Sequence, residues 1–302
     1  MCTVYLTLLT VNWYFHCKKH IHACCRVLLF IVVKIVALKM SFKTFIGMLV
    51  ASVFSLTYVV TPLYIISCLI IPVLFPNMYS LLFVTPLILS ALFPPVQMQW
   101  IIQSEYFGYM KDYFDYEEVF EMEDDKLISI LNDYKKQNRS CIFTGLPHGI
   151  ISFGGLCAGS AADPRYNLLS TAVAGAVLAT PILKHIVGIF GLIDASSKSL
   201  KKHLAKGGIE GSVVLYTGGI AELFKCSEGD ETLFLKERKG FIKLALREGA
   251  DVVPMYFFGN TSVLTIPSSK LLESISRKLQ MSLTVFWGRW GLPIPRPLKV
   301  SY

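Results

Sequence analysis

The feature that most constrains this chain is a run of 61 consecutive residues, 44–104, without a single Asp, Glu, Lys, Arg or His. A helix needs about 20 apolar residues to cross the hydrocarbon core of a bilayer, so the run is long enough for two helices. We predict a first helix over about Ile46–Ile71 and a second over about Met78–Phe93, joined by a turn at Pro76 and Asn77. A buried pair of helices in a soluble core is disfavoured, because soluble helices need a polar face. The run therefore indicates a membrane-embedded helical hairpin.

Prolines leave the depth of this hairpin open. Pro62 and Pro72 are expected to kink or end the first helix, and Pro86 is expected to break the second. Two full spans and a re-entrant hairpin that never crosses the bilayer are therefore both compatible with the sequence. Residues 1–43 carry six Lys or Arg and no acid, and such a flank is retained in the cytosol. Either form of hairpin returns the rest of the chain to the cytosolic side.

Charge is distributed in blocks along the chain. Apolar residues make up 53% and charged residues 17%, which excludes a disordered chain. The net charge of +8 is the sum of segments of opposite sign. Residues 105–133 contain ten acidic residues and two lysines, and basic residues are in excess after them. We predict an acidic connecting segment at 105–140. The basic residues are dispersed and no nucleic-acid motif accompanies them, so they favour an anionic membrane surface or a phosphorylated cofactor over nucleic acid.

The first 43 residues form a basic leader with an unusual share of cysteines. Four of the eight cysteines lie within the first 25 residues, so they do not describe a disulfide framework, and a reducing compartment is favoured. The Cys and His residues at 17–25 lack the second paired half that structural zinc sites use, and we predict no metal there. Val27–Leu38 is a candidate interfacial helix. Because Met40 directly precedes the uncharged run, our hypothesis is that translation begins at Met40 and the leader is not native.

From Cys141 onward the pattern changes to short apolar runs that end in glycine. The runs Cys141–Gly145, Gly211–Gly219 and Asp251–Gly259 each predict a buried strand. Between the last two, Arg238–Gly249 has helical periodicity and ends on a glycine suited to a helix C-cap. The alternation predicts an α/β domain over 141–302, with functional loops at the carboxyl ends of its strands.

One histidine follows the first predicted strand in a distinctive setting. Pro147 fixes the approach of the chain to His148, and Gly149 lets another group come close to the backbone. Lone histidines are usually structural, but this placement favours a catalytic role. After the second strand, Glu222 could orient an imidazole, or it could be an acid at a helix N-terminus that the helix dipole favours.

Four motifs, taken together, resemble the type 2 diacylglycerol acyltransferases. They lie at Thr144–Gly154, Gly191–Ala195, Gly218–Glu222 and Lys236–Tyr256, in the family's order and behind the uncharged run. The resemblance implies an endoplasmic-reticulum enzyme, also found on lipid droplets, with a glycerolipid-acyltransferase-like α/β domain facing the cytosol. Such an enzyme transfers a fatty acyl group from acyl-CoA to diacylglycerol and forms triacylglycerol. Acyl-CoA is a substrate, so no cofactor and no metal are implied.

The resemblance also assigns roles to residues. The family's His-Pro-His-Gly motif maps onto Leu146–Gly149, so its reactive histidine is His148 and Leu146 departs from the pattern. Related glycerolipid acyltransferases carry an aspartate five residues after that histidine, whereas Phe153 stands here, and Glu222 is our candidate for orienting the imidazole. Family members usually continue beyond Gly291–Pro297 with a further helical segment, so we expect the acyltransferase domain to be truncated at its C-terminus.

These roles predict direct acyl transfer. His148 would take the proton of the acceptor hydroxyl as it attacks the thioester. Candidate donors to the developing oxyanion are the backbone N–H groups of Gly149, Gly218 and Gly219. Arg238 and Lys239 could bind the phosphates of CoA, or they could be solvated cations at a helix start.

Several alternatives remain. The sequence contains no Gly-x-Ser-x-Gly and no P-loop motif, which argues against a serine hydrolase and a P-loop nucleotide enzyme. Cys157 lies in a glycine-rich segment and is expected to pack in the core instead of acting as a nucleophile.

The runner-up functions are acylation of monoacylglycerol or a fatty alcohol, and an inactive membrane protein that binds lipid. A homo-oligomer is left open.

Overall fold

The uncharged run forms two consecutive helices in the computed structural model. Helix α1 spans Phe42–Leu74 and helix α2 spans Met78–Leu92, within a few residues of the predicted bounds. Asn77 caps α2 through a reciprocal pair of hydrogen bonds with Ser80. The two helices contact each other, since the rings of Tyr64 and Phe83 lie 5.1 Å apart between centroids. Of the described helices, α1 is long and apolar enough to cross a membrane, while α2 is shorter.

The prolines do not end these helices, so the predicted break at Pro86 was wrong, while a kink at Pro62 or Pro72 stays a prediction. Helix α1 continues through Pro62 and Pro72, and α2 continues through Pro86. Each proline removes one backbone hydrogen bond, but apolar helices tolerate this loss where hydroxyl side chains bond the backbone nearby. Thr85, beside Pro86, donates its hydroxyl to Leu81 O at 3.0 Å.

Helix α1 is buried at one end and exposed at the other. Near its start Met48, Ala51 and Phe54 are buried, and Ser55 donates its hydroxyl to Pro293 O at 2.7 Å. The ring of Phe54 lies 6.1 Å from that of Phe107 and 6.2 Å from that of Phe190, between centroids. The large apolar side chains exposed farther along the pair include Val60, Leu63, Ile66, Leu69, Val73, Leu81, Leu82, Ile88 and Leu92. A continuous apolar surface of this extent marks a contact with a membrane or a partner.

The structure describes residues 40–166, 169–225, 231–267, 269–279, 282 and 284–300. The predictions for the leader upstream of Met40, including the cysteine and histidine cluster at 17–25 and the helix over Val27–Leu38, lie outside these residues.

The remainder of the chain is a mixed helix and parallel-sheet domain. Its strands are β1 (Cys141–Leu146), β2 (Ser170–Val173), β3 (Leu192–Asp194), β4 (Val213–Tyr216) and β5 (Asp251–Tyr256). Its helices are α3 (Gln99–Ile102), α4 (Glu105–Tyr113), α5 (Asp124–Lys136), α6 (Phe153–Ala161), α7 (Gly175–Ala179), α8 (Leu183–Gly188), α9 (Ser197–Leu204), α10 (Gly208–Gly211), α11 (Gly219–Leu223), α12 (Gly240–Glu248) and α13 (Lys270–Leu279). The strand order is β3-β2-β4-β1-β5, and every pair of neighbours is parallel.

Helices cover both faces of this sheet. Ile142 in β1 packs with Leu200 and Leu204 of α9 and with Leu244 of α12. The next residue, Phe143, points to the opposite face and belongs to a cluster with Leu131 of α5. Side chains alternate between the faces of a strand, so burial of both explains why β1 is apolar throughout.

The clearest predictions for this domain are confirmed, and two strands were missed. The predicted strands at Cys141 and Asp251 and the helix ending at Gly249 are present, and Gly249 adopts a left-handed conformation with φ of +64°. The middle prediction was too long, since β4 covers only Val213–Tyr216. Strands β2 and β3 have four and three residues, too few to show a pattern of their own.

The strand order decides which loops meet. Strand β1 lies between β4 and β5, so the segments that follow these three strands lie side by side at one edge of the sheet. In open parallel sheets this carboxyl edge is where ligands bind. His148, Glu222 and Asn260 all follow these strands.

Candidate active site

His148 lies in the loop directly after β1. Its side chain is half-buried, between the buried residues Pro147 and Gly149. Gly149 has a φ of +62°, and a Cβ there would come within 3.0 Å of Asn260 O. Glycine is therefore required both by the backbone conformation and by the close approach of a neighbouring loop.

The imidazole of His148 is held by its own loop. Its Nδ1 lies 2.8 Å from Gly149 O. A carbonyl oxygen can only accept, so Nδ1 carries the proton in this contact and the lone pair of a neutral ring is on Nε2. The ring also meets Tyr216 edge-on, with centroids 4.9 Å apart and planes at 85°. The arrangement presents Nε2 as a proton acceptor.

The surroundings favour the neutral form of this imidazole. Burial lowers the pKa of His148 below its ordinary value, because charge is poorly solvated there. The hydrogen bond to Gly149 O and the charge of Glu222 oppose this effect, since both stabilise the imidazolium. The net direction is downward, so His148 is neutral at pH 7 and available as a base.

Glu222 is fully buried beside His148, but it contacts the backbone of that residue. Its Oε1 accepts from the backbone N–H of His148 at 2.7 Å, and its Oε2 accepts from the N–H of Phe234 at 3.3 Å. The expected carboxylate–imidazole hydrogen bond is not among the contacts of the described residues, and Gly149 O occupies Nδ1 instead. Glu222 therefore fixes the loop that carries the histidine.

Gly218 makes room for this carboxylate. A Cβ on Gly218 would fall 2.2 Å from the Glu222 carboxyl carbon, closer than any real contact. The next residue, Gly219, begins α11 with a φ of +59°. The local structure thus explains why glycine stands at both positions. Their role as oxyanion donors remains a prediction.

Asn260 is a site residue that the sequence did not reveal. It is 2% exposed, and its amide nitrogen donates to Pro147 O at 3.0 Å and to His148 O at 2.7 Å. Its amide oxygen accepts from the N–H of Gly154 at 3.1 Å. One side chain therefore joins the loop after β5, the histidine loop and the start of α6. In the sequence, an Asn after a Gly indicates only a turn.

The two proposed phosphate ligands lie in different environments. Arg238 is half-buried, donates to Gly218 O at 3.0 Å and stacks over the ring of Phe234. Lys239 is exposed beside it. Among the described residues, the buried side-chain atoms without a hydrogen-bond partner are Arg238 Nε, Thr217 Oγ1 and, in α1, Thr61 Oγ1. Binding of CoA by Arg238 and Lys239 remains a prediction.

Cys157 is buried in α6, in agreement with its predicted packing role. Its side chain is 0% exposed, and burial raises the pKa of its thiol. A protonated, inaccessible thiol is a poor nucleophile. His148 therefore remains the candidate base at this edge of the sheet.

Comparison with known proteins gives several related sequences. Diacylglycerol O-acyltransferase 2 of Danio rerio is 31% identical over 61% of this chain and 50% of its own length. Diacylglycerol O-acyltransferase 2-like protein 6 of Homo sapiens is 34% identical over 52% of this chain and 54% of its own. For 2-acylglycerol O-acyltransferase 3 of Homo sapiens the identity is 30%, over 51% of each chain.

The matched region thus spans about half the length of these curated relatives. No solved structure matches the chain significantly. The profile of the family described as "Diacylglycerol acyltransferase" matches residues 80–299, which is more than half of the chain and includes the whole site around His148. The chain therefore belongs to the diacylglycerol acyltransferase family, as its four motifs predicted.

Proposed function

We propose that this protein transfers a fatty acyl group from acyl-CoA to the free hydroxyl of diacylglycerol and forms triacylglycerol. The observation that carries the proposal is a neutral His148 whose Nδ1 is bonded to Gly149 O, which leaves Nε2 as a base at the position of the family's reactive histidine. Relatives named diacylglycerol O-acyltransferase 2 support this choice of reaction. On this proposal the sheet domain is a glycerolipid-acyltransferase-like domain.

The reaction needs one base and one group of donors. His148 Nε2 accepts the hydroxyl proton as the acceptor oxygen attacks the thioester carbonyl. When the tetrahedral intermediate collapses, the C–S bond breaks and the imidazolium returns the proton to the CoA thiolate. We place the oxyanion donors among the backbone N–H groups of Gly149, Gly218 and Gly219, where one donor is typically worth about 3 kcal/mol. The negative charge of Glu222 stabilises the imidazolium between the two steps.

Glu222→Gln tests this charge effect. Glutamine keeps the size of the side chain and one of the two acceptors but loses the charge and the second acceptor, so turnover should fall roughly ten- to a hundredfold, as for a hydrogen bond to a charged group. The charge of Glu222 raises the pKa of His148, so its removal should move the acidic limb of the pH–rate profile to lower pH. Steady-state rates measured from acidic to neutral pH would show both effects.

The control for this variant is Glu210→Gln, an exposed carboxylate of α10, before β4, that pairs with Lys135 at the surface. It should leave the rate and the profile unchanged. If Glu222→Gln behaved like this control, the charge of Glu222 would have no part in the reaction.

We also propose that α1 and α2 form a hairpin embedded in the endoplasmic-reticulum membrane, with lipid droplets as a second location. The C-terminal end of α2 is attached to the sheet domain. Lys184 Nζ donates to Ala91 O at 3.3 Å, and His185 Nε2 lies 3.1 Å from Ser90 O. Basic groups are favoured at a helix C-terminus, where the carbonyls lack partners. These contacts would hold the active site close to the membrane surface.

A hairpin requires both of its flanks to face the cytosol. Protease added outside sealed microsomes should therefore cut before residue 44 and after Glu105, because cations precede the uncharged run and the helices return the chain to the same side. Peptide mapping of the digest is the measurement, with detergent-opened microsomes as the control. Protection of the region after Glu105 until detergent is added would contradict this topology.

One observation supports monoacylglycerol as an alternative acceptor. A relative named 2-acylglycerol O-acyltransferase 3 matches half of this chain, so acylation of monoacylglycerol is the alternative reaction. Leu146, in place of the family's first histidine, is the last residue of β1, two positions before His148, so its side chain is a candidate for affecting the choice of acceptor.

The deciding experiment is acyl transfer by membranes that contain the full chain. Radiolabelled acyl-CoA is supplied with diacylglycerol, monoacylglycerol or a fatty alcohol, and the products are separated by thin-layer chromatography. Label in triacylglycerol when diacylglycerol is supplied is the expected result. Label only in diacylglycerol would make monoacylglycerol the acceptor, and label only in wax ester would make it a fatty alcohol. Binding of acyl-CoA without any product would indicate an inactive lipid-binding member of the family.

A further inference from the structure

A cavity of about 140 Å³ lies on one face of the sheet, next to the histidine loop. Phe143, Val214 and Met255 of three neighbouring strands line it on the sheet side. Helix α6 lines the other side, and Ile102 and Phe190 are also part of the wall. A dry apolar cavity of about 150 Å³ holds a benzene-sized group, so this one has room for part of a hydrocarbon chain.

The cavity has one end beside the catalytic histidine. Tyr216 lines it and also meets the ring of His148 edge-on at 4.9 Å. Gly155, at the start of α6, belongs to the same end, because a Cβ on Gly155 would overlap the Tyr216 hydroxyl. Ala162, at the end of α6, is seven residues farther along, about 10 Å away at 1.5 Å per residue.

The side chains of α6 that face the cavity are all small. Its lining positions are Gly155, Ala158, Gly159, Ala161 and Ala162, largely the spacing of one helical face. The far end is marked by polar groups, since Tyr166 lines the cavity and donates its hydroxyl to Asp124 at 3.1 Å. Apolar side chains and the small residues of α6 supply most of the wall, and Gln99, Glu118 and Thr171 add polar groups to it.

We propose that this cavity binds the acyl chain of acyl-CoA while its thioester carbonyl lies at His148, and that the small residues of α6 set the chain length that is accepted. The proposal rests on the acyl-transfer function proposed above. The apolar strand residues match a hydrocarbon chain, and the small side chains of α6 offer no hydrogen bonds to the hydroxyls and esters of an acceptor. Each buried methylene strengthens binding of the acyl chain. The length of the cavity therefore determines which chain length is preferred.

Substitutions at the far end test this directly. Ala162→Phe fills the space farthest from His148, so transfer from oleoyl-CoA should fall roughly tenfold relative to transfer from octanoyl-CoA, the loss expected when about two methylenes can no longer be buried. Ala158→Phe lies nearer the reacting end and should shift the cut-off to still shorter chains. Leu169→Ala enlarges the cavity and should shift the preference to longer chains.

The comparison uses kcat/KM for a series of acyl-CoA lengths at constant diacylglycerol, with the exposed Ala179→Phe on α7 as the matched control. Retained transfer from octanoyl-CoA shows that a variant is folded, and Leu169→Ala decides the question if Ala162→Phe does not fold. A chain-length profile that is unchanged in active variants would overturn this inference alone. A profile that instead depends on the acyl chains of the acceptor would assign the cavity to diacylglycerol. If the unmutated chain transferred no acyl group of any length, the proposed function would fail, and this inference with it.

Discussion

His148→Ala is expected to reduce acyl transfer by roughly 10²- to 10⁴-fold, the range that general-base catalysis contributes. The structure gives the reason, because Nδ1 is bonded to Gly149 O and Nε2 is left to accept the proton. His148 is half-buried, and its ring contacts are a hydrogen bond within its own loop and an edge-on contact with Tyr216, so the variant should remain folded and membrane-bound. The measurement is transfer of labelled acyl groups, together with expression and the midpoint of thermal unfolding in detergent.

Leu146→His is the comparison for this variant, since it restores the first histidine of the family's motif. Leu146 ends β1 and is 7% exposed, so a histidine there cannot replace the base and should only change the rate moderately. If His148→Ala kept transfer within a few-fold of normal, the mechanism would fail even though the chain belongs to the family.

Asn260→Asp should cause the second largest loss of acyl-transfer activity, together with a loss of stability. The amide nitrogen of Asn260 donates to two carbonyls, Pro147 O and His148 O, and an aspartate would face both with an acceptor. Two buried carbonyls would lose their partner, which costs about 1–3 kcal/mol each. We therefore expect the free energy of unfolding to fall by roughly 3 kcal/mol, and kcat to fall much more than KM rises because the histidine loop is displaced.

The matched control is Asn138→Asp, at an exposed position with a φ of +52° that both residue types adopt readily. This variant should leave stability and turnover near normal. Denaturant unfolding and steady-state kinetics of the two variants would give the comparison. Full activity in Asn260→Asp would show that Asn260 does not position the histidine loop.

The parts of the structure that the sequence predicted are those that depend on local patterns. The uncharged run indicated the helical pair, because 61 residues without a charged side chain supply no polar face for a soluble helix. The apolar runs at Cys141 and Asp251 indicated two central strands, and Gly249 marked the end of α12. His148 was recognisable from its immediate neighbours, Pro147 and Gly149.

Contacts between distant segments were not predictable in the same way. The partner of Glu222 is a backbone N–H 74 positions away in the sequence, and nothing in the chain distinguishes that donor from the ring of the same residue. Asn260 bonds across 112 positions, and its role depends on the adjacency of β1 and β5. The predicted break at Pro86 was wrong, because rules for proline in water do not carry over to apolar helices.

The aromatic contacts of Phe54 have a practical consequence for handling this protein. Phe190 both lines the cavity and packs on Phe54 of α1 and on Phe107 of α4. Cutting the chain after α2 to obtain a water-soluble fragment would uncover Phe107 and Phe190 and remove part of the support behind the cavity wall. Such a fragment would be expected to aggregate, because the newly exposed rings are contiguous. The sheet domain should therefore be purified with the helical pair, in detergent micelles or lipid nanodiscs.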